Sequence, residues 1–531
     1  MPPLTVLRAS VMAPTSHIIK DLPGSLFQSL SETLDSYVPE LSTSELGRIV
    51  DASTSVAHLS GFTEIGASEL IALPGNLMGI AESINEKRVG LILLGSGDHL
   101  RLGDHGERTG RVMNTPVGEG LLGRVVDALG RPLDDGGPIK TTERWPTERA
   151  APAIIERAPV GAPLQTGIKV IDALIPIGLG QRELIVGDRQ TGKTAIALSA
   201  MINQQPRGIK CVYCAIGQRA SAVAGVVSKL AENQALANTI VVVAGGNDAA
   251  GLQYLAPFTA TSMAEYFMER GEDVLIVYDD LTRHARAYRE LSLLLRRLPG
   301  REAFPADIFY LHSRLLERAT HLSKARGGGS LTALPILETQ AQNLSAYIPT
   351  NLISITDGQI YLSPPLFEKG MLPAVDVGKS VSRVGGKAQL PSYRSLTGAL
   401  RLAYAQYEEL ETFARFGTRL DEKTKSALER GRRVREVLKQ GEDERLSIAD
   451  QILVLTAVTS GGMDGVDVDA VAAAELALRK AFRRELGDLG QHLNDGLPLD
   501  ELGFQSLIEL ANRVIRNLEE SAYQEVEIGD A

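Results

Sequence analysis

The residues whose types and spacing carry the clearest chemistry are Gly187, Asp188, Arg189, Gln190, Thr191, Gly192, Lys193 and Thr194. Two glycines with four residues between them, followed by Lys and Thr, form the phosphate-loop pattern. Glycines without side chains let successive backbone N–H groups turn onto phosphate oxygens, and a helix N-terminus behind them adds partial positive charge. In that role Lys193 reaches the β and γ phosphates and the Thr194 hydroxyl ligates Mg²⁺. The flanks agree, since Arg182-Glu183-Leu184-Ile185-Val186 reads as a strand and Ala195 to Met201 as a helix. A glycine-rich turn that binds nothing requires no such order.

A second acid is placed to complete the site. Val274 to Tyr278 is an apolar strand running into Asp279-Asp280, the arrangement of an acid that holds Mg²⁺ through water. Apolar strands ending in Asp are common, so the weight comes from its position about 85 residues after the phosphate loop. Arg283, Arg286, Arg289, Arg296, Arg297 and Arg301 are interleaved with leucines, which favours an amphipathic helix at a subunit interface over a nucleic-acid surface. Arg383 stands in a glycine-flanked loop, Lys379 to Lys387, which by itself means little. Cys211 and Cys214 lie three apart in a strand-like run, facing opposite ways and roughly 10 Å apart, so neither a disulfide nor a metal pair is expected.

The elements that must position these groups follow from length and periodicity. At 531 residues, 44% apolar and 23% charged, the protein is long enough for three or more globular domains. Its net charge of −10 disfavours nucleic acid, and no apolar run approaches the roughly 18 residues of a membrane span. With no signal or transit pattern, a cytoplasmic, bacterial setting is expected. Residues 1–45 form an extension in which Ser25 and Gln28 cap a helix whose Phe27, Leu30, Leu34 and Tyr37 share one face, a candidate docking element. Residues 46–116 read as a small antiparallel β-barrel, with His99 and His105 in its turns. Residues 117–394 alternate strands and helices, the pattern of a parallel sheet covered on both faces. Residues 395–531 read as a helical bundle, with Asp467 as an N-cap before Val471, Ala474, Leu478 and Phe482, and a second stripe at Leu507, Leu510, Val514 and Leu518.

Taken together, residues 47–531 resemble the α subunits of the F-type ATP synthases. The resemblance rests on Leu164 to Lys169, the phosphate loop, Ala215-Ile216-Gly217-Gln218, Phe309 to Arg318 and Ser380 to Gly385. It implies a barrel crown, a RecA-like P-loop α/β nucleotide-binding domain and a C-terminal helical domain. The family alternates three α with three β subunits around a γ shaft, attaches to a peripheral stalk with δ, and meets the membrane only through the ion-translocating sector, at the cytoplasmic face of the bacterial inner membrane. Gln218 stands where the catalytic β subunit has a glutamate, and an amide cannot accept a proton at pH 7. The resemblance therefore implies ATP or ADP with Mg²⁺ at the protein's own loop with little hydrolysis, and Asp279 on the water shell of the metal. Arg383 matches the arginine finger that serves the neighbouring β site, with Ser380 and Ser354 in positioning roles there. Pro373 and Gln440 match residues beside the adenine. Two departures stand out: the family's Arg-Pro reads Leu372-Pro373 here, and its Gln-x-Gln reads Gln440-Gly441-Glu442. The competing classes are a self-sufficient homohexameric P-loop ATPase of secretion or helicase type, which Gln218 disfavours, and an assembly scaffold without nucleotide, which Lys193, Thr194 and Asp279 disfavour.

Overall fold

The computed structural model describes residues 44–141, 143–414 and 422–529, so the expected helix from Phe27 to Tyr37 lies outside the described residues. Strands β1 (Leu46–Ala52), β2 (Val56–Ser60), β3 (Glu69–Leu73), β4 (Leu77–Ile84), β5 (Val89–Leu93) and β6 (His105–Val112) close into an antiparallel barrel in the order β1-β2-β5-β4-β3-β6. Closure removes the sheet edges that would otherwise invite pairing with other molecules. Alternation along the strands sends Ile49, Leu59, Ile71, Leu91 and Leu93 inward. His105 opens β6 and does not sit in a turn. The adjacent Gly106 serves packing: a Cβ there would lie 2.5 Å from Leu59 and 2.9 Å from Ile71. His99 stays exposed, with its ring Nε2 2.8 Å from the Pro74 carbonyl.

The central sheet contains β7 (Val125–Asp127), β8 (Glu183–Gly187), β9 (Lys210–Gln218), β10 (Thr239–Gly245), β11 (Asp273–Asp279), β12 (Ser330–Glu338), β13 (Gly358–Leu362) and β14 (Val381–Ser382). Its order is β14-β13-β8-β12-β11-β9-β10-β7, parallel throughout except at β13–β14. Both faces are buried, and the two-residue period sorts side chains between them. Ile185, Cys211, Tyr213 and Val277 enter one core, while Val186, Val212, Cys214 and Ile276 enter the other. The two cysteines are thus on opposite faces, free and buried, and burial pushes the Cys211 thiol up to about 12.

Helices Pro391–Ala414, Glu422–Val437, Ile448–Thr459, Val471–Glu485, Gly487–Asn494 and Glu501–Gly529 follow the sheet and extend the first of those cores. Val471, Ala474, Leu478 and Phe482 are buried together, as are Leu507 and Leu510, whereas Leu518 is 37% exposed. Asp467 makes no capping bond, because a 3-10 turn, Val468–Ala470, separates it from the helix it was expected to start.

The arginine run forms an amphipathic helix, Leu281–Leu294, burying Leu281, Ala285, Tyr288 and Leu291. Two of the following arginines fasten the sheet domain to the barrel, Arg296 to Asp51 at 3.0 Å and Arg297 to Glu82 at 3.0 Å. Deeper in the domain, Arg318 is 1% exposed and grips Glu265 with two bonds of 2.7 and 2.8 Å, while also donating to the Thr147 carbonyl and the Ser262 hydroxyl. Removing one partner of such a pair strands a buried charge. Arg318→Ala is expected to destabilise the protein by about 3–5 kcal/mol, read as a lowered urea midpoint, whereas a surface change such as Arg326→Ala should move it little.

Candidate functional site

Strand β8 delivers the backbone to Gly187, where a Cβ would meet the Leu362 carbonyl at 2.7 Å and the Thr191 hydroxyl at 3.0 Å. Gln190 (φ 59°) and Gly192 (φ 94°) then turn the backbone left-handed, so that Gly192 stands at the N-cap of helix Lys193–Ile202. No atom lies within 4 Å of the Cβ position at Gly192, which leaves open space against the helix's first-turn amides. The Asp188 side chain does not face that space. It accepts from the Thr339 hydroxyl at 2.6 Å and from the Gln342 amide at 3.0 Å, and so anchors the loop from behind. Arg189 is largely exposed and paired with Glu338, while Thr191 donates to the Asp188 carbonyl at 2.9 Å. Lys193 folds over the loop to the same carbonyl. Burial holds its amine below the ordinary range against the pull of Glu338, Asp280, Asp279 and Asp188.

Asp279 ends β11 beside the loop, 3% exposed, and gathers three donors. Its Oδ2 accepts from the Thr194 hydroxyl at 2.8 Å and the Tyr213 hydroxyl at 2.7 Å, and its Oδ1 from the Gln218 amide nitrogen at 2.9 Å. Gln218 reaches it because the β9–β10 register shifts between Ile216 and Gln218, around Gly217 at φ 64°. Asp280 faces the other way and caps helix Leu281–Leu294 through the Arg283 amide at 2.8 Å. Burial, reinforced by Asp279, pushes its carboxyl up to about 6. Among the described residues no group of three His, Cys, Asp or Glu could hold a metal by itself. A hydroxyl and a carboxylate side by side are hard oxygen donors that suit Mg²⁺ when phosphate oxygens complete the set.

Against the same loop lies a cleft of about 210 Å³, walled by Ile168, Phe367, Leu372 and Pro373. Gln440 borders it but is spent on backbone: its oxygen accepts from the Lys169 amide at 2.9 Å, and its nitrogen donates to the carbonyls of Gly167 at 2.7 Å and Glu444 at 2.6 Å. The Glu442 carboxylate, new here relative to the expected pattern, is met by Lys229 at 2.5 Å.

Arg383 belongs to a different end of the sheet. Ser382 pairs with Gly358 and Gly358 with Glu183, so Arg383 stands where β8 begins, whereas the phosphate loop starts where β8 ends. Four residues of strand separate the two, roughly 13 Å. The exposed guanidinium donates to the carbonyls of Ile353 at 2.8 Å and Thr356 at 3.1 Å, at the C-terminal end of helix Tyr347–Ile355, whose dipole favours a cation. Ser380 is buried; its hydroxyl donates to the Asp376 carbonyl at 2.6 Å and accepts from the Tyr361 amide at 2.9 Å, which braces the strand leading to Arg383. Ser354 is exposed and donates to Asn351 at 2.9 Å.

Residues 167–382 match the family model for the nucleotide-binding domain of the ATP synthase alpha/beta family, and residues 389–514 match that for the C-terminal domain of the same alpha/beta subunits. The protein is similar to ATP synthase subunit alpha 2 of Albidiferax ferrireducens, with 60% identity over 91% of both sequences. It is also similar to ATP synthase subunit alpha 2 of Polaromonas naphthalenivorans, with 58% identity over 95% of this sequence and 97% of that one. ATP synthase subunit alpha 1 of a Marinomonas species is 59% identical over 92% and 96%. The chain belongs to the ATP synthase alpha-subunit family. It is accordingly one subunit of an ATP-synthesising, ion-translocating enzyme.

Three residues of this alpha-family site were not singled out from sequence. Tyr213 was hidden in an apolar strand; only the parallel pairing of Ala215 with Asp279 brings it to the acid. Lys229 sits on a helix, Ala220–Glu232, with nothing local to link it to Glu442. Phe367 lies in a short helix, Pro364–Glu368, with nothing local to link it to the phosphate loop. Asp279→Ala deprives Thr194, Tyr213 and Gln218 of their acceptor at once. Calorimetry of the nucleotide-free protein is expected to show a loss of about 1–3 kcal/mol for the buried Tyr213 hydroxyl alone, and Asp279→Asn, which keeps one oxygen, should lose less.

Proposed function

We propose that this protein is the nucleotide-binding, largely non-hydrolysing subunit of the F1 part of an F-type ATP synthase, which forms ATP from ADP and phosphate at the expense of a transmembrane proton or sodium gradient. The observation that carries the reading is the Gln218 amide donating to Asp279. At the position where a hydrolytic site needs a proton acceptor for the attacking water, the protein offers a group that has no basicity at neutral pH. A self-sufficient homohexamer would need that acid in every protomer.

The protein's own residues are assigned as follows. The loop amides, Lys193 and the Thr194 hydroxyl hold the phosphates, with Asp279 beside Thr194 for the metal's water shell; bound Mg²⁺ bridges phosphate oxygens and neutralises their charge. Arg189 and Gln190 shape the loop, and Gln218 faces the terminal phosphate. Pro373 and Gln440 border the base. Arg383, exposed and remote from its own loop, serves a neighbouring β site, where a guanidinium stabilises charge developing on the transferred phosphoryl group. Ser380 keeps its strand in place. Three such subunits alternate with three β subunits around γ, and a peripheral stalk with δ restrains the ring, at the cytoplasmic face of the bacterial inner membrane. Among the described residues no helix is long and apolar enough to cross a membrane, which fits contact through other subunits. Leu298, 90% exposed beside the arginine run, supports a subunit interface there. The three domains proposed are residues 46–116, 117–394 and 395–531, with residues 1–45 as a stalk-docking extension.

Purified alone, the protein is expected to bind Mg-ATP in equilibrium dialysis, with turnover lower by about 10² to 10⁴ than a site retaining the acid. Brisk hydrolysis by the isolated subunit would return the homohexamer. In the reconstituted complex, Arg383→Ala is expected to lower kcat by roughly 10³ to 10⁵, about 4 to 7 kcal/mol, while nucleotide binding to the isolated subunit stays unchanged.

A further inference from the structure

We infer that Tyr213 is a positioning residue for the metal that accompanies the nucleotide: its hydroxyl fixes Asp279 in the orientation from which the acid serves the Mg²⁺ water shell, and does so without neutralising it. The inference rests on the reading of the phosphate loop as a Mg-nucleotide site and adds to it the side chain that keeps the metal acid in place.

Asp279 is buried at the end of β11, and a buried carboxylate is costly unless its lone pairs are met. A lysine or arginine would meet them and cancel the charge that attracts a cation. The hydrogen bonds to this carboxylate come instead from neutral groups, the Thr194 and Tyr213 hydroxyls on Oδ2 at 2.8 and 2.7 Å and the Gln218 amide nitrogen on Oδ1 at 2.9 Å. The three donors are not equivalent. Thr194 spends only its proton on the acid, so its lone pairs stay free for the metal. Gln218 is half-buried and stands where the terminal phosphate is proposed to lie. Tyr213 approaches from the interior, in the core that also holds Ile185, Ile196 and Val277. Ala215 stands opposite Asp279 in the parallel register and Tyr213 comes two residues earlier, so its side chain must run about 7 Å along β9 to reach the acid. A phenol has that length and ends in a donor, whereas a phenyl ring ends in none. Outer groups of this kind orient metal ligands, and losing one costs about 10- to 100-fold in metal affinity.

The test is equilibrium dialysis of the full-length protein against ATP in excess Mg²⁺ and against ATP in EDTA, which reads the gain in affinity that the metal supplies. Tyr213→Phe is expected to cut that gain by about 10- to 100-fold, with the EDTA affinity as the internal reference. Tyr278→Phe is the control. It removes another buried hydroxyl of the same sheet, one paired with Thr261 at 2.8 Å rather than with Asp279, and is expected to keep the full gain. Tyr213→Met, which also lacks the hydroxyl, repeats the measurement if the Phe variant fails to fold. A full gain in the Tyr213 variant, or an equal loss with and without Mg²⁺, overturns the inference, because a merely structural hydroxyl gives those results. ATP binding by the unaltered protein with no gain from Mg²⁺ also overturns it and leaves the nucleotide site standing, whereas no ATP binding at all removes that site and the inference together.

Discussion

A buried carboxylate must be paired, and in this protein the pairing of Asp279 determines how the centre of the sheet is arranged. Its two oxygens take hydrogen bonds from Thr194 in the first turn of helix Lys193–Ile202, Tyr213 within β9 and Gln218 at the end of β9. Two other segments, the start of helix Lys193–Ile202 and strand β9, are therefore held by one side chain at the C-terminal edge of β11. This edge is also where an open parallel sheet offers a ligand crevice, because the loops that leave the strands there diverge. The same acid that orders this edge also joins it to the phosphate loop through Thr194.

Strand polarity explains why the protein can hold a second cationic group without that group competing for the first site. The phosphate loop leaves the C-terminal end of β8, but β14 returns antiparallel and presents Arg383 at the N-terminal end of β13. An arginine tethered there to the carbonyls of Ile353 and Thr356 cannot fold back along the length of a strand. Behind it, Glu183 is buried, and burial pushes its carboxyl well above the usual range. Gln181 donates to both Glu183 at 2.7 Å and Ser382 at 3.1 Å, and so links that acid to the strand that leads to Arg383.

Much of this was legible in the sequence because it depends on short periods. The two-residue alternation around Cys211 and Cys214 fixes opposite faces, and the observed cores divide between them. The phosphate-loop glycines and the four-residue stripe of Val471, Ala474, Leu478 and Phe482 are likewise local. What sequence reading missed depends on contacts between distant segments. Gly106 has the look of a turn glycine, yet it is required by Leu59 and Ile71 across the barrel. Asp467 has the chemistry of a cap but loses the role to a turn three residues long. Asp188 lies inside the phosphate-loop pattern, and only the neighbouring strand's exit at Thr339 shows that its carboxylate is used for anchoring.

The cleft beside the phosphate loop depends on distant segments more heavily still, since Ile168 and Thr191 line it together with Gln440 and Glu442. Gln440 follows helix Glu422–Val437 and closes on the Lys169 amide and the Gly167 carbonyl, which precede the phosphate loop. The Lys169 side chain continues across the junction to Glu475 with two bonds of 2.8 Å, at 1% exposure. Burial pulls Lys169 down and Glu475 up from their ordinary ranges, and the attraction between the two opposes both shifts. Such a pair adds little net stability over apolar packing, but removing either member strands a charge in the interior. Its consequence is geometric. The bonds of Gln440 and Lys169 thus tie one side of the cleft to the seating of the C-terminal helices.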